Sequence, residues 1–192
     1  MKALGSPRRK TFSETYYDLA PSSFCATTVI GGPVNPSFVH IRLRGPIANI
    51  PSLKNQKIHG TNILRPDAKA KLVAMSNAFF KSVNNEPPLF KGVEVAMVLL
   101  CAYRKNAFDE DNVVTTVRDW LEPRFIRGGD REWGVGIVAN DRAINAFGLK
   151  KKRTAKDADI TEIYLRPLAA VEEARDRFLS EVTGIDIKTC CQ

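Results

Sequence analysis

Residues 93–103, VEVAMVLLCAY, decide the fold, because no other segment of the chain is as apolar. The segment is short and rich in β-branched and aliphatic side chains, which is typical of a strand buried on both faces. Its uninterrupted apolar run, Val95 to Tyr103, is far shorter than the roughly 20 residues that a helix needs to cross a bilayer. We therefore expect a central β-strand and no contact with a membrane.

Two elements upstream of this strand can be predicted from their periodicity. Apolar and polar residues alternate from 39 to 44, which predicts a half-buried strand ended by Gly45-Pro46. Pro66 suits the first turn of a helix, and the apolar residues after it recur at helical spacing until about residue 84. We expect a helix there, stopped by the Asn- and Pro-containing segment that follows.

Four elements are expected downstream of the central strand. A second helix is predicted to begin near Asp111. Residues 144–151 and 159–165 have strand character, and we expect them to pair as a hairpin across the basic stretch between them. A C-terminal helix is predicted over 167–183, with Pro167 at its start and a glycine after its end.

The resulting order of strand, helix, strand, helix, hairpin and helix predicts an α/β (α+β) fold with a small mixed β-sheet flanked by helices. We expect one domain over residues 37–192, because the sequence contains no internal repeat or low-complexity tract. Residues 1–36 are rich in Ser, Pro, Gly and Thr, and they are predicted to form an N-terminal arm with little regular structure.

The composition is basic, with 29 Lys and Arg against 21 Asp and Glu and a formal net charge of +8. This excess favours a polyanionic partner, since each phosphate neutralised by a basic side chain releases a counterion. The alternative is a basic surface that binds nothing. The cysteines form no CxxC pair, and Cys190 and Cys191 are adjacent, which argues against a structural zinc site and a disulfide framework. We expect a protein of the reducing cytoplasm.

A cluster of acids, Phe108-Asp109-Glu110-Asp111-Asn112, follows the apolar strand and opens the second helix. If the strand continued to this point, Asp109 and Asp111 would share one side, because alternate side chains lie on the same face. Two close carboxylates repel each other unless a cation lies between them, and hard cations such as Mg²⁺ prefer carboxylate oxygen. The alternative is that one acid caps the helix and another interacts with its dipole.

Asp141 is a third candidate acid. It follows an apolar stretch, Gly136-Ile137-Val138-Ala139, and the polar Asn140. From a neighbouring element it could approach the same cation as the two earlier aspartates. Three carboxylates, together with phosphate oxygens and water, would suit one or two Mg²⁺ ions.

Residues 109–112 and 136–141 resemble the two acidic motifs of the RusA-type Holliday-junction resolvases. That family carries Asp-x-Asp-Asn at a strand-to-helix junction and a second acidic motif after an apolar stretch. The first is matched here by Asp109-Glu110-Asp111-Asn112, and the second ends at Asp141. Residues 144–153 and 159–166 follow the family's later plan of strand, basic turn and strand. The resemblance covers roughly residues 37–167.

The resemblance implies a magnesium-dependent endodeoxyribonuclease that resolves Holliday junctions or other branched DNA. Asp109, Asp111 and Asp141 would be catalytic and would hold Mg²⁺, for which Mn²⁺ could substitute. Asn140 stands where the family has another acid, and its carbonyl oxygen could join them as a metal ligand. Because resolution needs two symmetric nicks, the resemblance also implies a homodimer.

The resemblance fails at one important position. Four residues after the second Asp of its first motif, the family has a lysine thought to act on the phosphate or the attacking water, and here that place holds Thr115. The candidates to replace it are Arg118, Lys54 and Lys57.

Basic side chains around the acids would be needed to hold the DNA backbone, since the carboxylates alone would repel it. The basic run between the two last strands is the first candidate, and its alternative role is that of a solvated hairpin tip. The full set of predicted DNA contacts comprises Lys150, Lys151, Lys152, Arg153, Lys156, Arg118, Arg127, Lys54 and Lys57.

The predicted elements around the tryptophan and histidine residues indicate their roles. Trp120 falls on the apolar side of a predicted helix and is expected in the core, whereas Trp133 lies in a Gly-rich segment and could contact a splayed base or a partner subunit. His40 is expected to be structural, and His59 could bind phosphate.

Two other functions compete with a nuclease. Thr115 and Asn140 are compatible with a non-catalytic protein that binds branched DNA on the same fold. A structural or protein-interaction module, in which the acids only cap helices, predicts no affinity for DNA at moderate salt.

Overall fold

The computed structural model describes residues 23–51, 65–103, 110–125, 131–153 and 159–183 of the 192-residue chain. A five-stranded mixed sheet is formed by β1 (Phe24–Ile30), β2 (Phe38–Arg44), β3 (Val95–Tyr103), β6 (Ile144–Arg153) and β7 (Ile160–Pro167). Two short strands, β4 (Arg124–Phe125) and β5 (Arg131–Trp133), pair separately. The α-helices are α1 (Pro66–Ser82), α2 (Glu110–Leu121) and α3 (Leu168–Thr183), and 3-10 helices cover Gly45–Ala48 and Asp141–Ala143.

The mixed α+β fold predicted from the sequence is confirmed. The sheet has the strand order β1-β2-β7-β3-β6, so the apolar β3 lies inside it, as expected. The predicted helices at 67–84 and near Asp111 correspond to α1 and α2, and the predicted C-terminal helix corresponds to α3.

One face of the sheet carries the core. Alternate residues of β3 point to this face, and they are almost fully buried because α1 and α2 pack over them. The two helices meet through Phe79 and Trp120, whose rings stand edge to face at 5.9 Å. Burying each such side chain contributes roughly 1.5–3 kcal/mol to the free energy of folding. The apolar period of each element therefore decides which of its faces is covered.

The prediction that residues 144–151 and 159–165 pair as a hairpin is wrong. Both strands form, but β3 lies between them: it pairs parallel with β6 and antiparallel with β7. Parallel pairing requires a crossover, and α2 supplies it between β3 and β6. The basic stretch is consequently not a tight turn between neighbouring strands.

The prediction of an irregular arm over residues 1–36 does not hold for Phe24–Ile30. These residues form β1, which pairs antiparallel with β2 along its whole length. On the core-facing side of β1, the hydroxyl of Thr27 lies 2.6 Å from that of Ser82 at the end of α1. The sheet is therefore one strand wider than the sequence suggested, and β1 and β6 are its edges.

Strand directions define the two ends of the sheet. Strands β2, β3 and β6 run the same way, because β7 is antiparallel to both β2 and β3 while β6 is parallel to β3. Helix α2 returns toward the beginning of β6, since its last residues accept backbone hydrogen bonds from Val135 and Ile137. Within the described part of the chain, no helix has the length and apolar character needed to span a membrane.

Candidate active site along helix α2

Asp111 is the second residue of α2, and its side chain is exposed. The helix begins at Glu110, so Asp111 lies within the first turn and is not the residue that caps it. This position excludes the capping alternative for Asp111 but keeps its carboxylate near the positive end of the helix dipole. Asp109 lies outside the described residues.

Asp111 is not part of a strand, so strand alternation does not place it on one side with Asp109, contrary to the prediction from the sequence. Strand β3 ends at Tyr103, and Asp111 is already helical. Successive residues of a helix are about 100° apart around its axis, so residues two apart point to nearly opposite sides. The neighbours of Asp111 are instead the residues three and four positions away.

Three residues on one side of α2 and the first residue after its end form a polar line, which we call the α2 stripe: Asp111, Thr115, Arg118 and Glu122. The helical spacings of four and three residues keep Asp111, Thr115 and Arg118 within about 60° of one another around the helix axis. Asp111 and Thr115 are exposed, while Arg118 and Glu122 are half-buried. The opposite side of α2 is the apolar one and contains the buried residues Val113, Val117 and Trp120.

Asp141 is held against the lower half of this stripe by two hydrogen bonds. Arg118 donates from Nη2 to the main-chain oxygen of Asp141 at 2.8 Å. The main-chain N–H of Asp141 donates to Oε2 of Glu122 at 2.9 Å. Both peptide groups of Asp141 are therefore anchored to α2, and the structure brings this acid to the same side of the helix as Asp111.

The carboxylates of Asp111 and Asp141 make no hydrogen bond or ion pair with any residue that the structure describes. Acids with a structural role normally have such partners, because each lone pair of a carboxylate can accept a hydrogen bond. Oxygens of this kind fit a hard divalent cation, which coordinates carboxylates and keeps several waters. The donor set is therefore compatible with Mg²⁺.

The described residues do not by themselves complete a metal site. Asp111 and Arg118 are seven residues apart, a rise of about 10 Å along the helix. Among the described residues, no three His, Cys, Asp or Glu side chains lie close enough together to hold a metal ion. Asp109, the first acid of the predicted triad, is outside the described ranges, so the triad as a whole is not described.

Asn140 has a structural role in this arrangement. It is the N-cap of the 3-10 helix Asp141–Ala143, and its side-chain oxygen accepts a hydrogen bond from the backbone N–H of Arg142 at 3.1 Å. This contact accounts for Asn140 without a metal ion. It also fixes the turn that presents Asp141, the first residue of the 3-10 helix.

Thr115 occupies the position of the family's lysine, one turn below Asp111 on the α2 stripe. Its hydroxyl donates to the main-chain oxygen of Asp111 at 2.8 Å. Because this hydroxyl is neutral, Thr115 does not supply the positive charge of the lysine. Arg118 is the next residue down the stripe and is positively charged. Its Nε is buried and has no hydrogen-bond partner among the described residues. Of the candidate replacements, Arg118 is therefore placed beside the acids, while Lys54 and Lys57 lie outside the described residues.

The basic run belongs mainly to edge strand β6. Lys150, Lys151, Lys152 and Arg153 are its last four residues, paired with the end of β3, and the side chain of Lys150 is exposed. Lys156 and Arg127 lie outside the described residues. Lys150 is six strand residues from Ile144, a distance of roughly 20 Å, so it lies at the other end of β6 from Asp141.

The two tryptophans have the same environment, although different roles were expected. Trp120 is in the core as predicted. Trp133 was expected to contact a base or a partner, but only 7% of it is exposed and it belongs to the core cluster, so that interpretation is wrong. The physical reason is that its Gly-rich neighbourhood folds over α1, where the N–H of Gly134 donates to the hydroxyl of Ser76 at 3.1 Å.

A buried polar cluster lies where β3 ends and β7 begins. Thr161 donates its single hydroxyl proton to the oxygen of Ala48 at 2.6 Å, so Tyr103 must be the donor in its 2.6 Å contact with Thr161. Nearby, burial lowers the pKa of Lys71 to about 8, although the charge of Asp159 opposes the shift. No periodic pattern or motif in the sequence indicates this cluster, because its members come from separate elements.

Comparisons with known proteins find no relative of this chain. No protein-family model matches it. No curated protein and no solved structure matches it either. The resemblance to RusA-type resolvases therefore depends on the residues at 109–112 and 136–141 alone.

Proposed function

We propose that this protein is a magnesium-dependent endodeoxyribonuclease that cuts branched DNA, with four-way junctions as substrates, as the resemblance to RusA-type resolvases implies. The observation that carries the proposal is the position of Asp111 and Asp141. Asp111 belongs to the α2 stripe and Asp141 is hydrogen-bonded to it, and both carboxylates lack hydrogen-bond and ion-pair partners among the described residues. Arg118, between them, is the cation that a scissile phosphate would meet.

Asp109, Asp111 and Asp141 are the proposed ligands of one or two Mg²⁺ ions, with Mn²⁺ as a substitute. When bound, the metal would lower the pKa of a coordinated water and stabilise charge on the phosphate. The chain's own residues would orient the strand. Arg118 would contact the scissile phosphate while it fixes the main chain of Asp141. Lys150 and its basic neighbours, at the far end of β6, would hold DNA backbone away from the cut.

The surroundings agree with a polyanionic partner. The chain has a formal net charge of +8, and the acids at 109–111 form a cluster that a metal ion would neutralise. Paired nicks on a junction require two active sites, so a C2 homodimer is part of the proposal. Apolar residues of α3, such as Phe178, whose side chain lies outside the described part of the chain, are candidates for the dimer contact. We also propose a cytoplasmic location.

A labelled four-way junction with Mg²⁺ tests the proposal, with linear duplex beside it. Asp111→Asn is expected to abolish nicking while junction binding in EDTA persists. Asp67→Asn is a matched control, because Asp67 is likewise the second residue of a helix, in α1. It should lose the same small interaction with a helix dipole and keep full activity. Nicking that survives in both Asp111→Asn and Asp141→Asn would overturn the assignment.

The second candidate is a protein that binds branched DNA without cutting it. Thr115 in place of the family's lysine and the capping role of Asn140 favour it. Tight junction binding by the wild type with no nicking in Mg²⁺ or Mn²⁺ would establish it. If the wild type shows neither affinity for DNA nor a dependence on salt, a structural or interaction module remains.

A further inference from the structure

The face of the sheet opposite the core is open as far as the described residues are concerned. Alternate residues of β2, β3 and β7 point to it, and nearly all are half-buried or exposed, with Ala96 as the buried exception. Of the five most exposed large hydrophobic side chains among the described residues, three lie on this face. They are Phe24, Ile30 and Val98. An open face with this much apolar surface favours a ligand.

One row across this face has a particular shape. Reading from β2 to β6, the residues directly opposite one another are His40, Tyr164, Val98 and Gly148. The rings of His40 and Tyr164 are parallel within 5°, with centroids 4.3 Å apart. Because they stack across neighbouring strands, the second face of the Tyr164 ring is turned toward β3.

Beyond Tyr164 the residues of this row have small side chains or none. Val98 is 37% exposed. Gly148 has no side chain, and apart from its two chain neighbours a Cβ placed there would meet no atom within 4 Å. Neighbouring strands are roughly 4.8 Å apart, which is close to the ring separation in the existing stack. A flat aromatic group lying above Val98 would therefore continue the stack of His40 and Tyr164. We call this space the Tyr164 slot.

Cations surround the slot. Lys150 is exposed on β6, two residues from Gly148, and Arg166 is exposed on β7, two residues from Tyr164. Arg166 also lies over the ring of Phe38 at 5.9 Å. Among the described residues of this face the single acid is Glu162, and it is paired with Arg42 at 2.6 Å and accepts from the hydroxyl of Tyr164.

We propose that the Tyr164 slot binds an unpaired base of single-stranded nucleic acid, with the base stacked on Tyr164 and the adjacent phosphates on Lys150 and Arg166. A base is a flat group flanked by negatively charged phosphates, and it matches the apolar surface over Val98 with Lys150 and Arg166 on either side. A second copy of this chain fits less well, because symmetric packing of the face would bring cations together. The inference deepens the proposed function, since branch points are where unpaired bases occur.

The slot can be tested without cleavage, in EDTA, with a single-stranded oligodeoxynucleotide that carries 2-aminopurine. Stacking on Tyr164 should quench its fluorescence on binding. Gly148→Leu, which fills the slot, and Tyr164→Leu, which removes the ring, should both abolish the quench and weaken binding about tenfold or more. Tyr164→Phe keeps the ring and should behave like the wild type. Lys150→Gln should lower the slope of affinity against salt by about one phosphate contact.

Lys81→Leu, on the exposed surface of α1, adds apolar bulk on the opposite side of the sheet and should leave the quench unchanged. Quenching and affinity retained in Gly148→Leu would overturn the proposal. So would dissociation of a wild-type dimer by Gly148→Leu in sedimentation, because the face would then bind a second copy. Junction nicking in Mg²⁺ is measured separately. If the wild type quenches 2-aminopurine but does not nick a junction, the proposed nuclease function is refuted and the proposed binding of a base in the Tyr164 slot is not.

Discussion

Nη2 of Arg118 donates to the main-chain oxygen of Asp141 at 2.8 Å and so joins residues 23 positions apart in the chain. The contact ties the exposed side of α2 to the turn that starts β6. It places a fixed positive charge beside an acid that has no other cation among the described residues. A guanidinium carries five N–H donors, so one hydrogen bond to Asp141 leaves others for a phosphate. The same side chain can therefore hold the acid and bind the substrate.

Arg118→Met is predicted to affect both stability and cleavage. The half-buried oxygen of Asp141 would lose a charged donor, which should lower the free energy of unfolding by about 1–2 kcal/mol. If Arg118 also contacts the scissile phosphate, junction nicking should fall tenfold or more beyond any loss of folded protein. Urea denaturation and single-turnover nicking under conditions where the variant is fully folded would separate the two effects.

Arg142→Met is the matched control for this variant. Arg142 lies in the turn that carries Asp141, but its side chain is exposed and only its backbone N–H is used, by Asn140. It should retain stability and nicking. Full nicking by folded Arg118→Met would show that Arg118 is only a structural contact.

Ser76→Ala is predicted to destabilise the core strongly for the loss of a single oxygen atom. The hydroxyl of Ser76 donates to the oxygen of Leu72 and accepts from both Nε1 of Trp120 at 3.0 Å and the N–H of Gly134 at 3.1 Å. Alanine would leave two buried donors without this acceptor, at a cost of roughly 2–4 kcal/mol. Ser82→Ala also removes an acceptor, but its donors are the hydroxyl of Thr27 and the weakly donating thiol of Cys25 at a part-buried site, so it should cost only about 1 kcal/mol. Equal urea midpoints for the two variants would contradict this role of Ser76.

The elements with a strong local period were predictable from the sequence. Strand β3 is continuously apolar, and α1 repeats its apolar residues every three or four positions, so burial on the expected face follows directly. Trp120 was assigned correctly for the same reason. In each case the information needed to fix the burial of a side chain is contained within one element.

Features that depend on pairing between distant segments were not predictable. Residues 144–153 and 160–167 look like a hairpin because they are adjacent in sequence, yet each pairs with β3, some fifty or more residues away. Strand β1 was missed because its Ser-, Pro- and Gly-rich flanks outweighed a short run of strand formers. Trp133 was misread because nothing local shows that its loop packs on Ser76 of α1.

The candidate site was predicted in part. Asp111 and Asp141 were chosen by motif; Asp111 is a residue of α2, and Arg118 and Glu122 hold Asp141 against the same side. Glu122 itself was overlooked, because it is the first residue after α2 and belongs to neither acidic motif. The Tyr164 slot had no signal in the sequence, because its members become neighbours only through the register of β7, β3 and β6.

Lys71→Met is predicted to change how stability depends on pH. Burial lowers the pKa of Lys71 from 10.5 to about 8, so between these values the unfolded chain binds a proton that the folded protein does not. Wild-type stability relative to the variant should therefore rise with pH from about 8 to 10.5, by up to roughly 3 kcal/mol. Below pH 8 and above 10.5 the difference should be flat, since Lys71 then has the same charge in both states.

Urea denaturation of both proteins across this range measures the difference and cancels the titration of Cys25 and Tyr103, whose pKa values are raised by burial in both. Stability curves that stay parallel across this range would mean that Lys71 keeps its ordinary pKa in the folded protein. Either water would then reach its ammonium group, or the charge of Asp159 would offset its burial in full.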